Sequence, residues 1–384
     1  MSRRTGQIIE RGDRKFMVRV FLGRDTATGK RRYHNKLVHG TKKDAQSYLN
    51  GVLRDIDLGA FVGPSKMSVE SFLKDWMEKV VRARVEETTY RSYTHVVDKW
   101  LIPEVGNLSL ARLRGPELQN MVHSFQKKGL GARSIQYAMA VLKSALQQAV
   151  RWNLIQRNPS DLIDLPRLEG RGVRVLTPEQ ARNLLKAAEE HPMGAMIQFA
   201  LLTGTRPGEY SALRWDDFDL DAGTVTIQRT IWFGKKAEGW FLKEEPKTKK
   251  SRRSITLPPV LVRALQKHKR AQAEERLKAG RGYKNHGFVF ADGAGEPFHE
   301  RVSTKHLREV LESAGLPRFT RYQLRHSHAT ILMLLGEHIK AVSERLGHST
   351  TRMTLDVYSH VVPELQQRTA ERLENAFSEG VGTP

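Results

Sequence analysis

The chain has 384 residues, 39% of them hydrophobic, which leaves room for two or three domains with buried cores and excludes global disorder. A formal net charge of +22 points to a polyanionic partner, most simply nucleic acid, rather than to a merely soluble cationic surface. There is no cysteine, which excludes disulfides and thiolate chemistry, and no apolar run approaches the ~20 residues of a membrane span.

Residues 1–62 are predicted to form a small basic module. Phe16–Gly23 alternates as a strand, Asp25–Lys30 turns, and Arg31–Val38 returns as a second strand. Thr41 caps a helix over Lys42–Asp57 with Ala45, Leu49, Val52 and Leu53 on one face. A sheet edged with Arg14, Lys15, Arg19, Arg24, Lys30, Arg31 and Arg32, interleaved with Phe16, Phe21 and Tyr33, fits a DNA groove; the alternative is a surface hairpin with solvated charges. Gly59–Lys66 reads as a linker. Residues 67–160 then read as an all-α, four-helix domain. Ser68 caps Val69–Arg84, Thr88 or Thr89 opens Tyr90–Trp100, and Leu113–Lys128 and Ala132–Trp152 follow. Asn158 to Val173 reads as a second linker.

From residue 173 to 384 the pattern is mixed and mainly helical. Thr177-Pro178-Glu179-Gln180 carries the marks of a capping box. Val225–Gln228, Thr230–Phe233, Gly239–Leu242 and Ser254–Leu257 are predicted as one small antiparallel sheet. Helices are predicted at Val260–Leu277, Ser303–Ser313, Gln323–Leu335, Ile339–Leu346 and Pro363–Phe377.

Five side chains in this last region form a chemical set. Arg206, in Thr203-Gly204-Thr205-Arg206-Pro207-Gly208-Glu209, precedes a proline suited to the first helical position. It is therefore expected at a helix N-terminus that already favours anions, with Glu209 holding the guanidinium or only capping. Lys247 lies in the basic run Pro246-Lys247-Thr248-Lys249-Lys250, where a lysine can act as general acid; Lys249 and Lys250 compete for that role or touch backbone phosphates. Arg325 and Tyr322 are i and i+3 on one helix face, and a second arginine fork suits phosphate oxygens. His348 follows the helix-stopping Gly347. Tyr358 is the candidate nucleophile: a phenol is weak at neutral pH unless a proton acceptor or a field of cations helps it. Together these are the parts needed to attack a phosphodiester without metal. His326, His328 and His338 do not obviously converge on a helix, so no metal site and no cofactor is expected.

In their order, Thr-Gly-Thr-Arg-Pro-Gly-Glu, Lys-Thr-Lys-Lys-Ser-Arg-Arg, Leu-Arg-His-Ser-His-Ala-Thr, Leu-Gly-His-Ser and Leu-Asp-Val-Tyr-Ser-His resemble the tyrosine recombinase family, specifically the integrases of phages and integrative conjugative elements. The resemblance implies a tyrosine recombinase fold in three parts. Residues 1–62 would be an arm-type DNA-binding domain, 67–160 a helical, SAM-like core-binding domain, and 173–384 the catalytic domain with a C-terminal packing helix. It implies Arg206 and Arg325 as phosphate clamps, Lys247 as general acid, His348 as proton-transfer partner, Tyr358 as nucleophile and Glu209 as acidic support. Tyr322 departs from the pattern, standing where the family has histidine. A phenol donates a hydrogen bond but does not readily accept a proton, which moves the base role toward His348.

The implied reaction is integration and excision of a mobile element through a 3′-phosphotyrosyl link. The implied partners are double-stranded DNA at core and arm attachment sites, three further copies in a homo-tetramer on two DNA sites, a DNA-bending host factor and an excisionase. The N-terminus lacks a signal-peptide core, so the expected location is cytoplasmic and nucleoid-associated. A type IB topoisomerase-like strand transferase would share the chemistry but not the separate basic module. A non-catalytic DNA-binding regulator would explain the charge but not the five ordered residues.

Overall fold

A computed structural model describes residues 6–24, 29–57, 67–168, 174–234, 238–244, 252–348 and 350, and eight positions of the C-terminal region: 355, 366, 369–371, 373, 374 and 377. The chain divides between Gly170 and Arg171 into two compact units.

The first unit opens with strands β1 (Gly6–Glu10), β2 (Lys15–Arg24) and β3 (Arg31–His39), antiparallel in that order, and helix α1 (Lys42–Asp57). Alternation along β2 turns Phe16, Val18 and Val20 toward Ala45, Leu49 and Val52 of α1. Phe16 is therefore core, not part of the basic face the sequence suggested. Lys15, Arg19 and Phe21 take the opposite parity, and the Arg19 guanidinium lies 4.0 Å over the Tyr33 ring. β1 is an element the sequence did not predict, since its adjacent Ile8 and Ile9 break any alternation. The predicted linker Gly59–Lys66 lies outside the described residues.

The helical part of this unit follows the predicted order, with two changes. Helix α2 (Val69–Trp76) runs through a π-helical turn, Met77–Val81, into α3 (Arg82–Arg84). Helix α4 (Glu87–Val96) does the same through Val97–Leu101 into α5 (Ile102–Val105). Glu86, not Thr88 or Thr89, is the N-cap of α4, because its extended backbone offers its carbonyl to Thr89 and Tyr90. Helices α6 (Gly115–Lys127) and α7 (Ala132–Arg151) complete a core that buries Phe72, Leu101, Phe125 and Leu142. The stretch from Asn158, expected as linker, instead stays on this domain to residue 168. Gln119 exchanges hydrogen bonds with the Asp164 backbone at 2.9 and 3.2 Å, and Gln136 donates to Pro166 O at 2.9 Å.

The second unit begins with α8 (Pro178–Ala188), whose Thr177–Gln180 capping box forms as predicted, and α9 (Gly194–Thr203), which is buried almost all round. The one-turn helix α10 (Pro207–Tyr210) follows. Strands β4 (Phe218–Asp219), β5 (Thr224–Ile227), β6 (Thr230–Phe233), β7 (Trp240–Lys243) and β8 (Arg253–Thr256) do not make the single sheet expected. Among the described residues β4, β5 and β8 form one antiparallel sheet, and β6 pairs only with β7, where Trp232 stacks on Phe241 at 4.1 Å. Arg229 braces the end of β7 by donating to Glu244 at 2.7 Å and to buried Asp217 at 2.5 Å. Helices α11 (Pro259–Ala279), α12 (Glu300–Ser313), α13 (Arg321–Leu334) and α14 (Ile339–Leu346) close the unit around Phe199, Leu213, Ile255, Leu265 and Phe290. In the predicted C-terminal helix, residues 366, 369–371, 373, 374 and 377 are helical and exposed, while Leu365 lies outside the described residues. No described helix is long and apolar enough to cross a membrane.

Candidate active site

Arg206 is the N-cap of α10, and Pro207 starts that helix as expected. The helix is a single turn, so its dipole adds little there and the guanidinium itself is the anion-facing charge. Glu209 does both things left open above. Its Oε2 accepts the Arg206 backbone N–H at 2.9 Å, and its Oε1 accepts Arg206 Nη1 at 2.8 Å. A third arginine joins them: Arg253 of β8 donates to Oε1 at 3.2 Å and to Oε2 at 2.9 Å.

Arg325 reaches the same place from α13. It is 6% exposed and donates Nη1 to Gly204 O at 2.7 Å and Nη2 to Leu346 O at 2.8 Å. Arg206 Nη2 donates to the next carbonyl, Gly347 O, at 3.0 Å. Two arginines 119 positions apart in sequence thus meet on consecutive peptide carbonyls. The turn that offers those carbonyls is a helix stop: Gly347 has φ +65°, and the His348 N–H returns to Ser343 O at 3.0 Å. That closure fixes the backbone of His348 beside both guanidiniums. Gly204, which ends α9 at φ +65°, is required in the same way. A Cβ there would lie 2.5 Å from the His328 ring and 2.7 Å from Leu346.

The electrostatics follow from this packing. Burial and the charge of Arg206 push the Arg325 pKa down to about 9, with Glu209 opposing, so it stays protonated at neutral pH. Burial and the charges of Arg325, Arg206, Arg253 and His326 push His348 down to about 4, which leaves its ring neutral at pH 7 with a lone pair available. Burial alone would raise the Glu209 pKa, but the hydrogen bonds and charge of Arg253 and the charge of Arg206 lower it.

Tyr322 stands at the first turn of α13, 57% exposed and three residues before Arg325. Lys247, Lys249, Lys250 and Tyr358 lie outside the described residues. Of the predicted DNA contacts, Arg14 is in the β1–β2 turn, Lys15 and Arg19 are on the open face of β2, and Lys30, Arg31 and Arg32 are at the far end of the sheet, where β2 turns into β3. They are spread from one end of the sheet to the other, and Arg31 and Arg32, adjacent on β3, point to opposite faces. Arg253 and Arg345 were not singled out from the sequence. The readable signal for Arg253 is parity: it shares a strand face with buried Ile255, and a cation on a core-facing position needs a partner.

The other histidines are engaged separately. His328 is buried and takes Arg345 Nε at 3.3 Å, and His338 caps α14 by accepting Lys340 N–H at 3.2 Å. His191, His306 and Glu309 bring possible ligand atoms within 4.8 Å of one another. His306 Nδ1 is 2.9 Å from the carboxylate, and His191 Nδ1 accepts Met193 N–H at 3.1 Å. That bond keeps the His191 proton on Nε2, toward Glu309, so a cation would have to displace it.

Residues 174–364 match the phage integrase family, and residues 68–126 match the N-terminal SAM-like domain of phage integrases. An integrase of Streptomyces ambofaciens is 31% identical over 350 residues, covering 88% of each chain. A structure of the Tn1549 transposon integrase with a circular intermediate DNA superposes with a TM-score of 0.68 at 22% identity, covering 80% of this chain and 99% of that one. A lambda integrase tetramer bound to a Holliday junction superposes with a TM-score of 0.57 at 17% identity, covering 91% and 94%.

Proposed function

This chain belongs to the phage integrase family, a tyrosine-type site-specific DNA recombinase of mobile elements, and we propose that Arg206, Arg325, His348, Lys247 and Tyr358 do its chemistry. The observation that supports this assignment best is the meeting of Arg206 and Arg325 on Gly347 O and Leu346 O, directly before His348. Two guanidiniums held at fixed positions can grip the non-bridging oxygens of one phosphate bidentately. The Tyr358 oxygen attacks the phosphorus, a phosphotyrosyl bond forms, and the bond to the 5′ oxygen breaks. His348 takes the phenolic proton, and Lys247 returns a proton to the leaving 5′-hydroxyl. The diester energy stays in the covalent link, and attack by the partner strand's hydroxyl reverses the step.

The low pKa of His348 fits this role only with DNA bound. Without substrate, burial first and then the charges of the arginines depress it to about 4. A phosphodiester offsets the arginines' share of that depression and raises basicity where the proton must go, while burial still holds the ring below its ordinary value. Tyr322, exposed at the rim, serves as a hydrogen-bond donor to the phosphate and not as a base.

The basic sheet of residues 1–62 would bind arm sites and residues 67–160 the core site, with residues 173–384 cutting. Leu373 and Phe377 are helical and exposed, 53% and 77%, and suit packing on a neighbouring copy in a tetramer on two DNA sites. A DNA-bending host factor and an excisionase would set direction, and the nucleoid is the place of action. A suicide duplex that traps cleavage tests the reading. The wild type is expected to form a covalent adduct that Tyr358→Phe does not. Adduct formation by Tyr358→Phe would reject the nucleophile, and relaxation of a single site without two-site exchange would favour a topoisomerase-like transferase.

A further inference from the structure

We propose that Arg253 is a positioning residue for recombination, a single guanidinium that locks Glu209 and Arg206 onto the turn presenting His348. The proposal rests on the reading of Arg206 and His348 as reacting groups. Its basis is a closed circuit of hydrogen bonds. Arg206 donates to Glu209, and Glu209 accepts both Nη groups of Arg253. Arg253 Nε donates to Arg345 O at 2.7 Å, two residues before Gly347. Gly347 O then accepts Arg206 Nη2, which returns to the start. The bracing is mutual, because the Arg345 side chain reaches back to Thr256 O of β8 with both Nη groups at 3.2 Å. The helix-stop turn lies directly on the guanidinium: a Cβ at Gly347 would come within 2.8 Å of Arg253 Nη1.

Only arginine satisfies this geometry. Its side chain is 7% exposed, and its flat fork spends two nitrogens on the carboxylate and the third on a backbone carbonyl. A lysine at 253 would keep the charge but present one point where three donors in a plane are used. The charge matters as well. Three guanidiniums against one carboxylate leave a net double positive charge around the phosphate position. That excess complements the negative charge gathering on the non-bridging oxygens in the transition state better than the singly charged diester.

The test is single-turnover cleavage of a suicide duplex by full-length wild type, Arg253→Gln and Arg253→Lys, with DNA affinity measured separately and Tyr358→Phe as control. For Arg253→Gln, cleavage at saturating DNA is expected to fall roughly tenfold to a hundredfold, the worth of hydrogen bonds to a charged group, while DNA affinity changes by less than about threefold. Arg253→Lys recovers part of the rate. Around His348, Arg206, Arg325 and His326 remain charged or polar neighbours, so losing Arg253 alone should move the acid limb of the pH–rate profile to higher pH. Wild-type cleavage rate and pH profile in Arg253→Gln would overturn the proposal, as would a loss explained wholly by weaker DNA binding. If the glutamine variant does not fold, a folded Arg253→Lys that cleaves at the wild-type rate overturns it instead. Adduct formation by the Tyr358→Phe control would reject the underlying site reading whatever the Arg253 variants do.

Discussion

Replacing Glu209 by glutamine probes the clamp at its centre. The wild-type carboxylate is buried and accepts four hydrogen bonds: Arg206 N and Arg253 Nη2 on Oε2, and Arg206 Nη1 and Arg253 Nη1 on Oε1. Glutamine removes the negative charge between two guanidiniums and points an NH₂ group at donors. Losing one member of a buried ion pair costs ~3–5 kcal/mol. The remaining amide oxygen keeps two of the four bonds, so about 3 kcal/mol is expected. In a folded unit of this size each kcal/mol corresponds to ~2–4 °C, which predicts a fall in melting temperature of roughly 6–12 °C. Calorimetry of the full chain at pH 7 measures it. The difference should shrink in acid. The Glu209 pKa is lowered by folding, so its contribution is complete above the usual carboxylate value of 4.5 and is lost as pH falls through the folded value. A glutamine variant melting within about 2 °C of wild type at pH 7 would refute the idea that this carboxylate holds the two arginines.

Further expectations concern neighbouring groups. Burial holds the His328 pKa near about 3, so between that value and 6.5 the unfolded chain binds a proton the folded chain does not. Stability is therefore complete above pH 6.5 and is lost below it, by about 2 kcal/mol at pH 5, and urea titrations that show no such loss would contradict the assignment. Gly204→Ala should destabilise by more than the ~1–2 kcal/mol of a left-handed alanine, since its Cβ also strikes His328 and Leu346; an unchanged melting curve would count against the packing described. Tyr322→Phe should leave melting unaltered and slow cleavage about tenfold if the exposed hydroxyl donates to phosphate, whereas equal rates would remove Tyr322 from the site. Arg19→Ala and Arg31→Ala should each lower the salt slope of arm-DNA binding by about 0.9, and an unchanged slope would take the residue off the DNA.

What the sequence disclosed and what it hid differ in range. Lys42–Asp57 and Ile339–Leu346 have the helix bounds predicted, because Thr41, Gly347 and the helical period are signals within a few residues. Ser68 and the Thr177–Gln180 box cap their helices for the same reason. The convergence of Arg206, Arg325 and His348 was expected from the order of motifs, and the structure brings all three together. Strand pairing was another matter. Nothing local distinguishes one four-stranded sheet from a hairpin beside a separate sheet, and β1 has too little alternation to be seen. The start of α4 was misplaced because threonine side chains signal caps more visibly than the Glu86 backbone does. Arg253 was hidden in a run of cations whose composition reads the same whether a side chain is solvated or buried.

The partners of the arginines explain why that concealment is general. Besides Glu209, the three guanidiniums are held by Gly204 O, Arg345 O, Leu346 O and Gly347 O, all main-chain atoms that no residue type announces. These carbonyls lie at the C-terminal ends of α9 and α14, where a helix has acceptors with no partner inside it and a partial negative charge. Such ends orient a cation without neutralising it. A second carboxylate in their place would fix Arg325 equally well and cancel the charge meant for phosphate. Holding arginines by helix ends keeps the field intact, and it also accounts for Gly204 and Gly347 at φ +65°, since each ends the helix whose carbonyls are used.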